Sequence, residues 1–130
     1  MENSFLRRPN ILLIDDSVDM LNLMKVYINK GKLGDSHVFK NEFHALNFLS
    51  GAKVDLVVID IYLASINGFK IGKILREILN SNVPIIYISS SNNGLQDFYK
   101  EDQRNTYFMK KPFDQKTFND VVKSMMGIAA

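Results

Sequence analysis

The sequence predicts a doubly wound α/β fold, one parallel sheet with helices on both faces. Three observations carry the prediction. Ile11-Leu12-Leu13-Ile14, Leu56-Val57-Val58-Ile59 and Ile85-Ile86-Tyr87-Ile88 are almost wholly apolar and rich in β-branched residues, as suits strands covered on both faces. Between them lie stretches whose apolar residues recur at three- and four-residue steps, the period of a helix packed by one face. At 130 residues the chain has the length of one domain.

Taken in order, strand 1 covers residues 11–14, and Leu21, Met24 and Ile28 mark the helix that follows Asp16-Ser17. Residues 36–40 form a mixed second strand, and Phe43, Leu46 and Leu49 space out helix 2. Strand 3 precedes a helix carrying Ile71, Ile74, Leu75 and Ile78. After strand 4, residues 93–102 give the weakest helical pattern, with Leu95, Phe98 and Tyr99 as its apolar anchors. Strand 5 covers residues 106–109, and Phe118, Val121, Val122 and Met125 place the last helix, ending near Met126. Five strands alternate strictly with five helices, which implies a parallel sheet. The three most apolar strands belong at its centre, so the order is 2-1-3-4-5, the flavodoxin-like arrangement. A single domain over residues 1–130 is expected, with a core from about 9 to 127, no linker or repeat, and no room for an effector domain.

Composition narrows the function. The chain is 46% apolar and 23% charged, which excludes wholesale disorder. Having no cysteine, it has no disulfide framework, thiolate zinc site or cysteine nucleophile. No apolar run approaches the roughly 20 residues that span a bilayer. The first ten residues include Arg7, Arg8 and Pro9 without an apolar core, unlike a signal peptide. A cytoplasmic protein is expected, without membrane contact. The net charge of +2 is small and dispersed, so direct nucleic-acid binding is not expected.

In such a sheet ligands bind beyond the carboxyl ends of the strands, where the strand order reverses. There the sequence places Asp15-Asp16 after strand 1, Asp60 after strand 3, Ser89-Ser90-Ser91 after strand 4 and Lys110-Lys111-Pro112 after strand 5. Taken singly, each has a plainer reading: the aspartates and serines as helix caps, the lysines as surface charges. Together on one edge they point to chemistry. Clustered carboxylates repel and call for a cation, and magnesium takes oxygen ligands of this kind. Lysine and serine complete a cradle for phosphoryl oxygens. A carboxylate so placed can itself be the nucleophile, forming an aspartyl phosphate, and Asp60 is the one on the central strand. The three aspartates are expected within a few ångströms of one another.

These residues resemble the receiver domain of two-component response regulators, in its stand-alone, chemotaxis-regulator-like form, over essentially the whole chain. The resemblance rests on Asp15-Asp16, Asp60, Ser89 and Lys111-Pro112 in order, with Asn67-Gly68 turning the chain into helix 3. It implies Mg2+- or Mn2+-dependent phosphorylation of Asp60 by a histidine kinase or histidine phosphotransfer protein. Asp16 is implied as the main metal ligand, joined by Asp15, Asp60 and the Tyr62 backbone carbonyl. Ser89 and Lys111 are implied to bind phosphoryl oxygens, with Phe108 as the aromatic switch. The output is a face of strands 4 and 5 and helices 4 and 5 offered to a downstream protein. Such a chain is a phosphoryl acceptor rather than an enzyme, beyond self-catalysed phosphorylation and dephosphorylation. It departs from the family at Ala64, where proline is frequent, at Ser89, where threonine is commoner, at Ser90, where a small apolar residue is usual, and at the bulky Tyr62, placed to shield the phosphoryl group from water.

Other readings are a receiver-like module that is not phosphorylated and a magnesium-dependent phosphatase with an aspartate nucleophile. The second would want Asp-x-Asp in one loop, where this chain has Asp60-Ile61-Tyr62. A flavin or nucleotide binder of the same sheet order would need a phosphate loop where Asp-Asp-Ser stands. His37 and His44 read as surface residues of strand 2 and helix 2.

Overall fold

Parallel pairing follows directly from the apolar runs. In a computed structural model that describes residues 7–128, the strands are β1 (Asn10–Ile14), β2 (Asp35–Phe39), β3 (Leu56–Asp60), β4 (Ile85–Ser89) and β5 (Thr106–Lys110). All pair in parallel, in the order β2-β1-β3-β4-β5. The helices are α1 (Val18–Gly31), α2 (Glu42–Gly51), α3 (Gly68–Lys73), α4 (Gly94–Tyr99) and α5 (Gln115–Met125). Residues 1–6, part of the segment on which the signal-peptide expectation rests, and residues 129–130 lie outside the described residues. No described helix is long and apolar enough to cross a membrane.

Side chains alternate across the strands, and the alternation builds two cores. Ile11, Leu13, Leu56, Val58, Ile86 and Ile88 face Leu21, Met24 and Ile28 of α1 and Phe118 and Val122 of α5. Leu12, Ile14, Val57, Ile59, Ile85 and Tyr87 face Ala45, Phe69, Ile71, Leu75 and Phe98 on the other side. Burying each large side chain contributes roughly 1.5–3 kcal/mol. Ser17, Asn41, Asn67 and Asp114 cap α1, α2, α3 and α5, each accepting from a backbone N–H in the first turn.

Four sequence expectations change in detail. Helix α2 starts at its Asn41 cap and turns Ala45 inward, which leaves Phe43, about 200° away around the helix, 74% exposed. In α4, a Cβ on Gly94 would lie 3.0 Å from Ser89 and 3.1 Å from Phe108. That close approach fixes Gly94 and Phe98 as the inner face and leaves Leu95 and Tyr99 in solvent. Helix α3 continues as a π-helical turn, Ile74–Ile78, closed by Leu79 N–H donating to Ile74 O at 2.9 Å. The extra residue shifts the phase, so Ile78 is exposed and Arg76 turns inward. There the Arg76 guanidinium donates to the carbonyls of Ser81 (3.0 Å) and Arg104 (2.9 Å), pinning the segments before β4 and β5. His37 is half-buried, its Nε2 3.1 Å from Asn10 Oδ1 and its ring 4.9 Å from that of Phe48; His44 is exposed.

Gly72 permits the closest packing of α3 on the sheet. A Cβ there would fall 1.9 Å from the hydroxyl oxygen of Tyr87, whose ring is buried between Phe69 and Phe98. Gly72→Ala is expected to destabilise the fold by about 2 kcal/mol through overpacking. Tyr87→Phe, by removing the obstructing oxygen, should recover part of the loss in the double variant. Urea denaturation of the four proteins measures the coupling, and strictly additive effects would contradict this packing.

Candidate functional site

Parallel strands deliver their carboxyl ends to one edge. Ile14 of β1 sits beside Ile59 of β3, so the next residues, Asp15 and Asp60, become neighbours. Asp15 is 1% exposed. Its Oδ1 accepts from the Ser17 N–H at 2.8 Å, while Oδ2 has no hydrogen-bond donor. Lys111 Nζ stands 2.9 Å from that Oδ2, off the hydrogen-bonding direction, and donates to Asp60 Oδ2 at 3.2 Å. Asp60 Oδ1 accepts from the Tyr62 N–H at 3.1 Å.

Lys111 is brought there by its backbone. Its N–H donates to Ser89 O at 2.9 Å, extending the β4–β5 pairing by one residue, and the Lys111–Pro112 peptide is cis. The neighbouring Lys110 points elsewhere, donating to Asn92 Oδ1 at 2.9 Å. Ser89 is buried, and its hydroxyl oxygen accepts from the Ser91 N–H at 3.0 Å. Phe108 is half-buried, packed on Phe98 with ring centres 5.9 Å apart and against Gly94.

The electrostatics follow from burial. Desolvation pushes the Asp60 carboxyl above the usual aspartate range; the Lys111 charge opposes this and the Asp15 charge reinforces it. Burial pulls the Lys111 ammonium down, but its close ion pair with Asp15, the Asp60 charge and its hydrogen bond to Asp60 outweigh that and raise it. One cation thus holds two carboxylates.

Asp16 departs from the expected cluster. It is exposed, and its Oδ2 accepts from the Ala64 N–H at 2.6 Å, so it braces the loop between β3 and α3. Among the described residues no three Asp, Glu or His side chains are gathered into a ready metal cage. The oxygen-only set of Asp15, Asp16, Asp60 and the Tyr62 carbonyl still fits a hard cation such as magnesium. The buried, donorless Asp15 Oδ2 is the atom that most needs one.

Two further ties on the same loop escape a reading of residue patterns. The Tyr62 hydroxyl, on a side chain 40% exposed, donates to Asp97 Oδ2 on α4, and Ser65 donates to Glu42 on α2. Both join residues 23 to 35 positions apart in the chain, and neither spacing follows a helix or strand period.

The response regulator receiver domain family matches residues 11–123. The heme response regulator HssR of Staphylococcus epidermidis is 23% identical over 118 residues, covering 90% of this chain and 51% of HssR. The DNA-binding response regulator MtrA of Mycobacterium tuberculosis is 25% identical over 109 residues, covering 84% of this chain and 46% of MtrA. The chain therefore spans about half the length of these curated relatives. The chemotaxis response regulator CheY4 of Vibrio cholerae superposes with a TM-score of 0.78 at 17% identity, covering 91% of this chain and 98% of that one.

Neutralising Asp60 relieves a charge that burial disfavours, so Asp60→Asn in a chelator should stabilise the fold at neutral pH by about 1 kcal/mol. A raised pKa gives a contribution that is present in acid and lost as pH rises through it. The gain of the variant should therefore fade as the pH falls through the raised Asp60 pKa. Lys111→Met leaves two buried carboxylates without their cation and should cost on the order of 2 kcal/mol, less in combination with Asp60→Asn. Chemical denaturation at several pH values reads all three; a less stable Asp60→Asn at neutral pH would contradict the site's electrostatics.

Proposed function

The chain belongs to the response regulator receiver domain family, and on that premise we propose that Asp60 is its phosphoryl acceptor in two-component signalling. The observation that carries the proposal is the Lys111 ammonium between Asp15 and Asp60, at the strand edge where β4 ends in the buried Ser89. Receiver domains take their phosphoryl group from histidine kinases, so the donor is a phosphohistidine on a kinase or a histidine phosphotransfer protein.

In the transfer, an Asp60 carboxylate oxygen attacks phosphorus, the phosphorus–nitrogen bond breaks, and the departing imidazole takes a proton from water. A Mg2+ or Mn2+ ion on Asp15, Asp16, Asp60 and the Tyr62 carbonyl would neutralise charge on the incoming phosphoryl group. Lys111 keeps one donor toward Asp60 and supplies a fixed positive charge at the phosphoryl oxygens. To bond one of those oxygens, Ser89 turns its hydroxyl away from the Ser91 N–H, and Phe108 moves into the space released. The face of β4, β5, α4 and α5 then changes for a downstream protein partner. The chain acts as a switch rather than an enzyme, its own chemistry limited to gaining and losing the phosphoryl group.

Incubation with acetyl phosphate and magnesium should add one phosphoryl mass, absent with a strong chelator and absent in Asp60→Asn. Ser89→Ala should still be labelled, yet show smaller amide shifts across α4 and β5 than the parent. Labelling that survives in both the chelator and Asp60→Asn would overturn the proposal.

A further inference from the structure

Tyr62 is the residue whose main chain lies on the acceptor and whose side chain reaches the output face. Its N–H donates to Asp60 Oδ1, and its hydroxyl donates to Asp97 in the middle of α4. The helix it reaches is weakly held. α4 has six residues, no side-chain N-cap bond, and a single large apolar side chain, Phe98, in the core. Its other inward contact is glycine, at Gly94, against Ser89 and Phe108. A segment with so few buried contacts opens at low free-energy cost, so one hydrogen bond to a carboxylate is a large share of what positions it.

The loop on which Tyr62 sits is firm by comparison. Asp16 holds the Ala64 N–H, Glu42 holds the Ser65 hydroxyl, and Tyr62 and Asn67 close a backbone bridge. A firm loop and a loose helix joined by one bond make that bond a tether.

We propose that the Tyr62–Asp97 hydrogen bond ties the acceptor loop to α4 and holds the helix in its unphosphorylated position. The second half of this statement rests on the phosphoacceptor reading above. Ser89 abandons the Ser91 N–H when it turns toward a phosphoryl group, so the β4–α4 turn shifts and carries Asp97 with it. The tether resists that shift. It gives Tyr62 the part of a positioning residue, coupling Asp60 to α4 by a route separate from Ser89 and Phe108. Asp97 has a second exposed neighbour, the Lys100 ammonium at 3.8 Å, which supplies a control.

The test compares Tyr62→Phe, Asp97→Ala, the double variant and Lys100→Ala by amide hydrogen exchange and by initial rate of labelling with acetyl phosphate and magnesium. Both single variants should speed exchange in α4 about fivefold, the scale of one hydrogen bond. The double variant should be no faster than either, and Lys100→Ala should match the parent. Initial labelling should rise by a similar factor in the two single variants, because the switched arrangement is reached more easily. Additive effects on exchange, or no effect of Tyr62→Phe, would overturn the tether. Coupled exchange with unchanged labelling would overturn its role in holding the unphosphorylated position. If no protein is labelled at all, the acceptor reading fails and with it that role, while the exchange data still decide the tether.

Discussion

One ammonium group between two carboxylates sets the terms for the carboxyl edge of this sheet. Asp15 is buried beside Asp60, and two such charges repel unless a cation lies with them. Lys111 is that cation, and only the strand order makes it available. The pairing of β1 with β3 sets the two aspartates side by side, whereas β5 is separated from β3 by β4. Lys111 therefore reaches across the end of β4, anchored by its own N–H on the Ser89 carbonyl. In this order the lysine that ends β5 reaches the aspartate that ends β1.

The same arrangement makes the edge responsive. A charge added at Asp60 would act directly on Lys111, which donates to it. The buried Ser89 and the half-buried Phe108 ring both pack closely on Gly94 at the start of α4. The loop after β3 is tied to the β1–α1 turn through Asp16, to α2 through Glu42 and to α4 through Tyr62. Asp60 thus sits in a frame with more ties on the α1 and α2 side than on the α4 side.

Much of this was legible in the chain. Apolar runs with β-branched residues have only one comfortable setting, a strand covered on both faces, so the central strands and the sheet order came directly from them. Asp15, Asp60, Ser89 and Lys111 followed because a parallel sheet exports every strand's last residue to one edge. What escaped were contacts that no period encodes. Phe43, Leu95 and Tyr99 are apolar and spaced like core residues, yet they lie outside because a cap at Asn41 and a glycine contact at Gly94 set the helix phase. The π-helical turn after Lys73 rotated Ile78 out and Arg76 in for a comparable reason. Asp16 accepts from the Ala64 N–H of a distant loop, a tie that its position beside Asp15 does not announce. The Tyr62–Asp97 bond joins a loop to a helix that meet only in three dimensions.

The most direct test of the ion triad is the titration of the Asp60 carboxyl, followed by carbon-13 NMR of its side chain without metal, in the parent and in Asp15→Asn. Asp60 should titrate above the ordinary aspartate value of about 3.9, because it is buried beside a like charge. The variant should bring it down, since removing the Asp15 charge also frees Lys111 to serve Asp60 alone. An Asp60 that titrates at or below the ordinary value, or that is unmoved by Asp15→Asn, would contradict the triad on which the rest of the site depends.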